Sequence, residues 1–519
     1  MKSSRDRSAA LDRLFPDDEI RPATIDDVIA QENFASKLQQ CHRLFGKPFH
    51  QINLGTQNAI VLRRLQQIFN TLKLNPFWKE RIHAAGIRDA PRDFQEWQQL
   101  PITDRDTLNA AYMGKREGLV IALDHGGFEI IASGGTSGGL PIETVYSLQE
   151  LHDTYKIAGH FMGTFVLPNY LRGDGPRWII TTLSDLEMWS SGTMIGGLLQ
   201  RTPGVNFIAA GLMGETVYGH IMSFAGPKAI MGMSREIEGL IPLGQRLSQR
   251  DRESFRLAIY GSGIIQGRKI EELKALYPNL QILSYFASNQ AEAIGMQLQP
   301  DAFLSSVPGL HLIEIVDSNG KWVEIGEEGE LVITRLHAKE APILRMQLGD
   351  RMIRKPPYQS EILMTEQFEF TGRSSDILHL GESHFAAGRT YSILCQILHD
   401  GGFANLDKLA HEVQFQNDRN EKVLCLIASV DLPEDHSARL RNLFGDERLR
   451  ECFIQALKQT IAFFDQTERH FLALDRTVYR FAIKFVAENS PEIYRTRVKK
   501  VPLTRDVLTS SSGVSSPAA

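Results

Sequence analysis

Between Trp178 and Ile343, short apolar runs alternate with longer segments of helical spacing. The runs include Trp178-Ile179-Ile180, Leu257-Ala258-Ile259-Tyr260 and Leu331-Val332-Ile333, and Ile270 to Tyr277 is one of the helical segments. Runs of this length suit buried strands, and helical segments supply the crossovers that parallel strands require. The alternation predicts an α/β sheet domain. Upstream, apolar residues recur at helical spacing from Gln57 to Ala85, which predicts one long amphipathic helix or a pair. After Leu100-Pro101-Ile102, the stretch Thr103-Asp104-Arg105-Asp106 reads as a helix start with Thr103 as N-cap. No repeat of fixed period is present.

A chain of 519 residues exceeds what one hydrophobic core usually organises, so two or more domains are expected. A second, smaller α+β domain is expected after Arg373, with Lys422 to Ile427 and Ala462 to Phe471 among its elements. The Ser374-Ser375 joint lacks bulky apolar residues and reads either as a hinge at Ser375 or as a polar turn. The formal charge of −5 gives no support to nucleic acid or an anionic membrane as partner. Cys41, Cys395, Cys425 and Cys452 lack CxxC spacing, which argues against a zinc site and a disulfide framework and suits a reducing cytoplasm. Met1 to Asp12 lacks the apolar core of a secretory signal, and no run reaches the roughly 18 apolar residues of a membrane span. The Ser-, Gly-, Pro- and Ala-rich end, Leu508 to Ala519, is expected to be a disordered tail.

A hydroxyl- and glycine-rich stretch, Ser133-Gly134-Gly135-Thr136-Ser137-Gly138-Gly139-Leu140-Pro141, separates two strand-like segments, Phe128 to Ile131 and Ile142 to Tyr146. Glycines allow close backbone approach, so successive N–H groups can turn toward one anion while the hydroxyls add donors. From the residues alone the stretch is either a phosphate cradle or a flexible hairpin.

Several further segments, taken in order, resemble the adenylate-forming enzymes, most closely their phenylacetate-CoA ligase-like branch. The Ser133 stretch is similar to that family's phosphate loop, and Tyr260-Gly261-Ser262-Gly263 to the turn lining its adenine pocket. Phe286-Ala287-Ser288-Asn289-Gln290 resembles its aromatic-Gly/Ala-x-Thr-Glu segment. Pro342 to Asp350 resembles P-x-x-R-Y-R-T-G-D, and Thr371 to Asp376 resembles the T-G-R-x-D-D crossover between domains. Arg495 to Val501 is similar to R-T-x-x-G-K-I. Asn75-Pro76-Phe77-Trp78 and Leu100 to Leu108 resemble N-P-F-Y and L-P-x-T-x-K-x-D-L of that branch, with Arg105 in place of the lysine and Thr107 in place of the aspartate. The likeness covers residues 50 to 505.

The resemblance implies an N-terminal adenylation domain over 1–373, a mobile C-terminal domain over 374–507, and the tail. It implies attack of a carboxylic acid on the α-phosphate of ATP with Mg²⁺, then acyl transfer to CoA, an amine, an alcohol or a carrier protein. Ser133, Gly135, Thr136, Ser137 and Gly138 would hold the phosphates. Gly261, Ser262, Gly263, Ser288 and Asn289 would line the nucleotide pocket. Asp350 would accept the ribose hydroxyls, or else close a Gly-Asp turn, and Arg373 would reach the nucleotide or form a surface ion pair. Lys500 would carry the catalytic charge, with Lys499 competing for that role. Closure about Ser375 would assemble the site.

Three departures from the pattern matter. Gly139-Leu140 stands where the branch has a lysine before proline. Gln290 occupies the metal position, a poorer ligand for a hard cation than a carboxylate, with Glu292 as substitute two residues on. Lys499 replaces the glycine before the catalytic lysine. These departures leave open a nucleotide- or acyl-binding pseudoenzyme on the same fold. The acid is expected to be aryl or otherwise bulky and apolar. Met188-Trp189 and Met231-Gly232-Met233 are either its pocket or ordinary core.

Overall fold

The computed structural model describes residues 4–132, 143–185, 188–263, 265–373, 376–380, 383–460, 479–495, 501 and 503–507. The chain divides into two compact units. The first comprises Met1–Ile264, Leu273–Leu348 and Met352–Phe370, and the second Ile265–Glu272, Gly349–Arg351 and Thr371–Ala519.

Near the start of the first unit, the region of helical periodicity forms a pair of helices, Leu54–Leu72 and Pro76–Ala84. Asn75 breaks the run: its side chain accepts a hydrogen bond from Trp78 N, and Pro76 follows at the first helical position, where a missing N–H costs nothing. The longer helix buries Ile60, Leu65, Ile68, Phe69 and Leu72 against Trp97, Leu331 and Ile333. The expected cap at Thr103 is corrected by one residue. Asp104 caps the helix Arg105–Tyr112, accepting from Thr107 N at 2.8 Å. Thr103 instead donates its hydroxyl to Leu344 O at 2.7 Å and bridges in parallel to Met346. The carboxylate is as good a cap as the hydroxyl, which frees Thr103 to tie this helix to the sheet.

The sheet is built from eleven strands. They are β3 (Trp178–Thr181), β4 (Asn206–Ala209), β5 (Lys228–Met233), β6 (Phe255–Gly261), β7 (Gln281–Ser288), β8 (Glu292–Gln297), β9 (Leu304–Ser306), β10 (His311–Val316), β11 (Glu328–Arg335), β12 (Met346–Gln359) and β13 (Met364–Arg373), in the order β10-β11-β12-β13-β9-β8-β7-β6-β5-β3-β4. Strands β4, β3, β5, β6 and β7 run parallel, and the direction reverses at β7/β8. Ile179, Ile180, Ala229, Ile230, Met231, Leu257, Ala258, Ile259 and Leu283 are almost wholly buried, as parallel strands covered on both faces require. A separate antiparallel hairpin, β1 (Phe128–Ala132) and β2 (Glu143–Ser147), pairs Ala132 with Glu143 at its open end.

The second unit contains a four-stranded sheet ordered β18-β17-β16-β19, from β16 (Glu412–Asp418), β17 (Val423–Ser429), β18 (Arg480–Val486) and β19 (Thr504–Asp506). It also contains a small hairpin, β14 (Ile377–Leu380) with β15 (Ser383–Ala386). Helices Ala387–Asp400 and Pro433–Gln459 pack on it around Leu394, Leu398, Phe415, Leu424, Leu426 and Phe453. The second helix breaks at Gly445, whose φ of 59° is available to glycine at little cost. Among the described residues no helix is long and apolar enough to cross a membrane.

Candidate functional site

Because β3, β5, β6 and β7 are parallel, Thr181, Met233, Gly261 and Ser288 end on the same edge of the sheet, the edge where open α/β sheets bind ligands. At the end of β6 the chain turns sharply. Ser262 has φ of 54° and Gly263 φ of 144°. A Cβ on Gly261 would lie 2.7 Å from the Tyr285 ring, and one on Gly263 would lie 2.3 Å from Ser234 Oγ. Glycine at these positions lets the backbone lie directly on the ends of its neighbours. Beside it, Thr182 Oγ1 donates to Glu236 at 2.5 Å over Gly232, where no Cβ would fit, and Met233 N donates to the same carboxylate at 3.0 Å. Burial raises the Glu236 pKa, and these two donors pull it back.

Tyr285 also lines an apolar cavity of about 20 Å³, room for one water, with Met231, Phe286, Phe161, Ile195 and Gly295 among its walls. Of the methionines singled out in the sequence, Met231 lines this cavity and is 1% exposed, whereas Met188 is 48% exposed. Met233 and Trp189 are half-buried.

The turn joining β7 to β8 meets the β1/β2 hairpin. Ser288 Oγ accepts from Ala291 N at 3.1 Å, which closes the turn. Asn289 Nδ2 donates to Ala132 O at 2.6 Å, and the Tyr146 hydroxyl donates to Asn289 O at 2.7 Å. The Arg335 guanidinium lies over the Tyr146 ring, 4.1 Å from its centroid, and donates to Val145 O and Ala341 O at 3.1 and 2.7 Å. Arg335 Nε is 3.3 Å from Glu150 Oε1, with both side chains buried. Burial pushes the Glu150 carboxyl up to about 7 against the opposing pull of Arg335. Glu292 is pushed up to about 8, chiefly by burial and then by the charge of Glu150.

Glu292, named as the substitute for Gln290 at the metal position, is 5% exposed, with Thr154 Oγ1 donating to its Oε2 at 2.5 Å. Gln290 is half-buried and offers a neutral amide. Among the described residues no group of three His, Cys, Asp or Glu is suited to a metal ion. The Gln290 amide is a weaker ligand for a hard cation than a carboxylate.

In the second unit Asp350 is 5% exposed and follows Gly349, whose φ is 76°. Arg373 Nε lies 3.5 Å from Asp350 Oδ1, and the arginine side chain is half-exposed. The two residues expected to act on the nucleotide thus form an ion pair with each other. Ser133, Gly135, Thr136, Ser137, Gly138, Ser375, Lys499 and Lys500 lie outside the described residues, as do Ala462 to Phe471 and the tail.

Tyr146, Glu150, Thr154 and Arg335 were not singled out in the sequence. The available signal was a charged residue closing the apolar run Leu331 to Ile333, since buried arginine is uncommon unless paired.

No protein-family model matches the sequence, and no curated protein matches it. Solved structures do. The chain is similar to 2-hydroxyisobutyryl-CoA ligase in the postadenylation state with R3-HIB-AMP, at 15% identity over 88% of this chain and 91% of that one, with a TM-score of 0.63. It is also similar to an open conformation of that ligase with 2-HIB-AMP and CoA, at 15% identity over 89% and 94% of the two chains, with a TM-score of 0.58. With the same ligase in the thioesterification state the identity is 14%, over 88% and 91%, and the TM-score 0.53. The chain therefore has the fold of the adenylate-forming CoA ligases.

Proposed function

We propose that the protein is an ATP-dependent, AMP-forming synthetase of the phenylacetate-CoA ligase-like kind. A carboxylate oxygen attacks the α-phosphorus of ATP, pyrophosphate leaves, and the acyl-adenylate passes its acyl group to CoA or another acceptor with release of AMP. The observation that carries this reading is the Gly261-Ser262-Gly263 turn at the carboxyl edge of the parallel strands, in a fold shared with a ligase captured with acyl-AMP. Such chemistry rests on positioning and charge neutralisation. The hydroxyl-rich residues 133–138 would take the β- and γ-phosphates, Gly261 to Gly263, Ser288 and Asn289 would line the nucleotide, and Asp350 would accept the ribose hydroxyls. Arg373, already paired with Asp350, would orient that carboxylate, and Lys500 would face the transferring phosphate. The resemblance to that branch favours an aryl or otherwise bulky apolar acid.

ATP–pyrophosphate exchange with Mg–ATP and a broad panel of carboxylic acids tests the reading. Acid-dependent exchange supports it, and a folded protein that gives none with any acid contradicts it. Asp350→Ala is expected to weaken nucleotide binding, whereas Lys500→Ala slows exchange and leaves binding nearly intact. A second reading, a binding protein without turnover, is favoured by Gln290 and the inward-turned Glu292. Calorimetry that finds ATP or AMP bound without exchange selects it.

A further inference from the structure

Glu236 stands at the carboxyl edge of the parallel strands with one carboxylate oxygen engaged and the other spare. The Thr182 hydroxyl and Met233 N both converge on Oε2, at 2.5 and 3.0 Å. Oε1 has no hydrogen-bond or ion-pair partner among the described residues, and the side chain is half-buried rather than enclosed. Glycine at position 232 makes the arrangement possible, since a Cβ there would lie 2.0 Å from Thr182 Oγ1 and 2.8 Å from Glu236 Oε2. Capping the helix Ser234–Glu238 needs only the Met233 bond, so Thr182 adds a second constraint that fixes where the carboxylate points. The order of the sheet sets this group to one side of the glycine turn. In the reading above, the nucleotide-lining residues follow β6 and β7, whereas Thr182 follows β3 and Met233 ends β5, on the other flank of β6. Tyr285 reaches both sides: its ring backs Gly261, and its hydroxyl is held neutral by burial and then by the charge of Glu236.

A ligand that covers Oε1 strips its water, which is costly for a carboxylate unless a donor takes the water's place. The same negative charge repels phosphates and the carboxylate of the acid. We propose that Glu236 is a specificity-determining residue: its Oε1 accepts a hydrogen bond from a hydroxyl or amino group on the body of the carboxylic acid, so the protein selects acids that carry such a donor. The proposal rests on the functional reading above and names the substrate class within it. Thr182 is then a positioning residue, aiming the carboxylate without touching the acid.

The Met233 N–H can only donate, so it needs an oxygen at the Oε2 position. Glu236→Gln therefore keeps its carbonyl there and turns its NH₂ toward the ligand, exchanging acceptor for donor while preserving the cap. The full chain and its Glu236→Gln and Glu236→Leu variants are compared by ATP–pyrophosphate exchange with matched hydroxy-, amino-, methyl- and methoxy-substituted phenylacetates, benzoates and short aliphatic acids. Wild type should favour a hydroxy or amino acid over its methyl twin by about ten- to hundredfold in kcat/KM, the worth of a hydrogen bond to a charged group. The order should turn toward the methoxy acid in Glu236→Gln and toward the methyl acid in Glu236→Leu, with AMP affinity by calorimetry within about twofold of wild type. Equal use of the matched acids by wild type, or an order unchanged in both variants, would overturn the proposal. Lost AMP affinity with an unchanged acid order would make Glu236 a nucleotide contact and overturn it too. If wild type gives no exchange with any acid, the functional reading fails, and calorimetric titration of the same acids decides the acceptor alone: a donor preference lost in Glu236→Gln upholds it, and no such preference removes it.

Discussion

Arg335 and Arg345 sit ten residues apart, each about 1% exposed and each facing a buried glutamate, yet their surroundings differ. Arg345 donates to Gln98 O, Leu100 O and Gly320 O and lies 3.2 Å from Glu314. Glu314 in turn accepts from the indoles of Trp97 and Trp322, at 3.1 and 2.7 Å. Around Arg335 the network is incomplete. Its Nε and Nη1, both oxygens of Glu150 and Oε1 of Glu292 have no hydrogen-bond partner among the described residues. The first pair, in which Arg345 Nε is without a hydrogen-bond partner among the described residues but both Glu314 oxygens are satisfied, joins the chain before Arg105 to the sheet. The second lies beneath the hairpin and the β7–β8 turn, and there burial is answered by carboxyls drawn toward the neutral form. The satisfaction of the carboxylate therefore separates scaffold from candidate site more clearly than burial or charge does.

The comparison can be broken first at its better-satisfied end. Glu314→Ala strands a buried arginine and two indole donors, so urea unfolding should show a loss of about 3–5 kcal/mol. Arg335→Met should cost less, about 2–4 kcal/mol at pH 8, because the carboxyls it leaves can take up protons. That cost should shrink toward pH 5, and one independent of pH would erase the distinction between the two arginines.

A third variant sharpens the electrostatic half. Glu150 has its folded pKa raised to about 7 from an ordinary 4.5, so the folded state holds the proton more tightly. Its contribution is present below the ordinary value and is lost as the pH rises through 7. His311 and His337, depressed by burial to about 3 and about 4, act in the opposite sense, losing stability as the pH falls below 6.5. The difference between wild type and Glu150→Gln isolates the glutamate. The stability advantage of wild type over the variant should fall by about 2 kcal/mol from pH 5 to pH 8 in urea titrations. The smallest effect belongs to an exposed pair. Arg246 lies 2.6 Å from Glu215 with good geometry but in solvent, and Arg246→Ala should change stability by less than about 0.5 kcal/mol.

What could be read in the sequence was what local pattern controls. The apolar runs at Trp178, Leu257 and Leu331 became β3, β6 and β11, and the segments flanking the glycine-rich stretch became a hairpin, because strand periodicity and turn residues act within a few positions. The helix start before Arg105 was visible, but not which of two neighbouring cap residues would win, since Thr103 was claimed by Leu344. The tie between the β7–β8 turn and the hairpin was invisible: Asn289 meets Ala132 across 157 residues of chain, and nothing local in either segment encodes that contact. For the same reason the hydrogen bond from Thr154 to Glu292, 138 residues away, was not visible in the sequence.

The central claim, that a carboxylate attacks the α-phosphorus of ATP, is tested most directly by isotope transfer. The protein is incubated with Mg–ATP, CoA and carboxylic acids carrying ¹⁸O in the carboxyl group, and the AMP formed is weighed by mass spectrometry. Acyl-adenylate chemistry leaves one carboxyl oxygen on AMP, so for the acid that is activated AMP should carry one ¹⁸O. A folded, ATP-binding protein that yields only unlabelled AMP, or no AMP with any acid, would contradict the account.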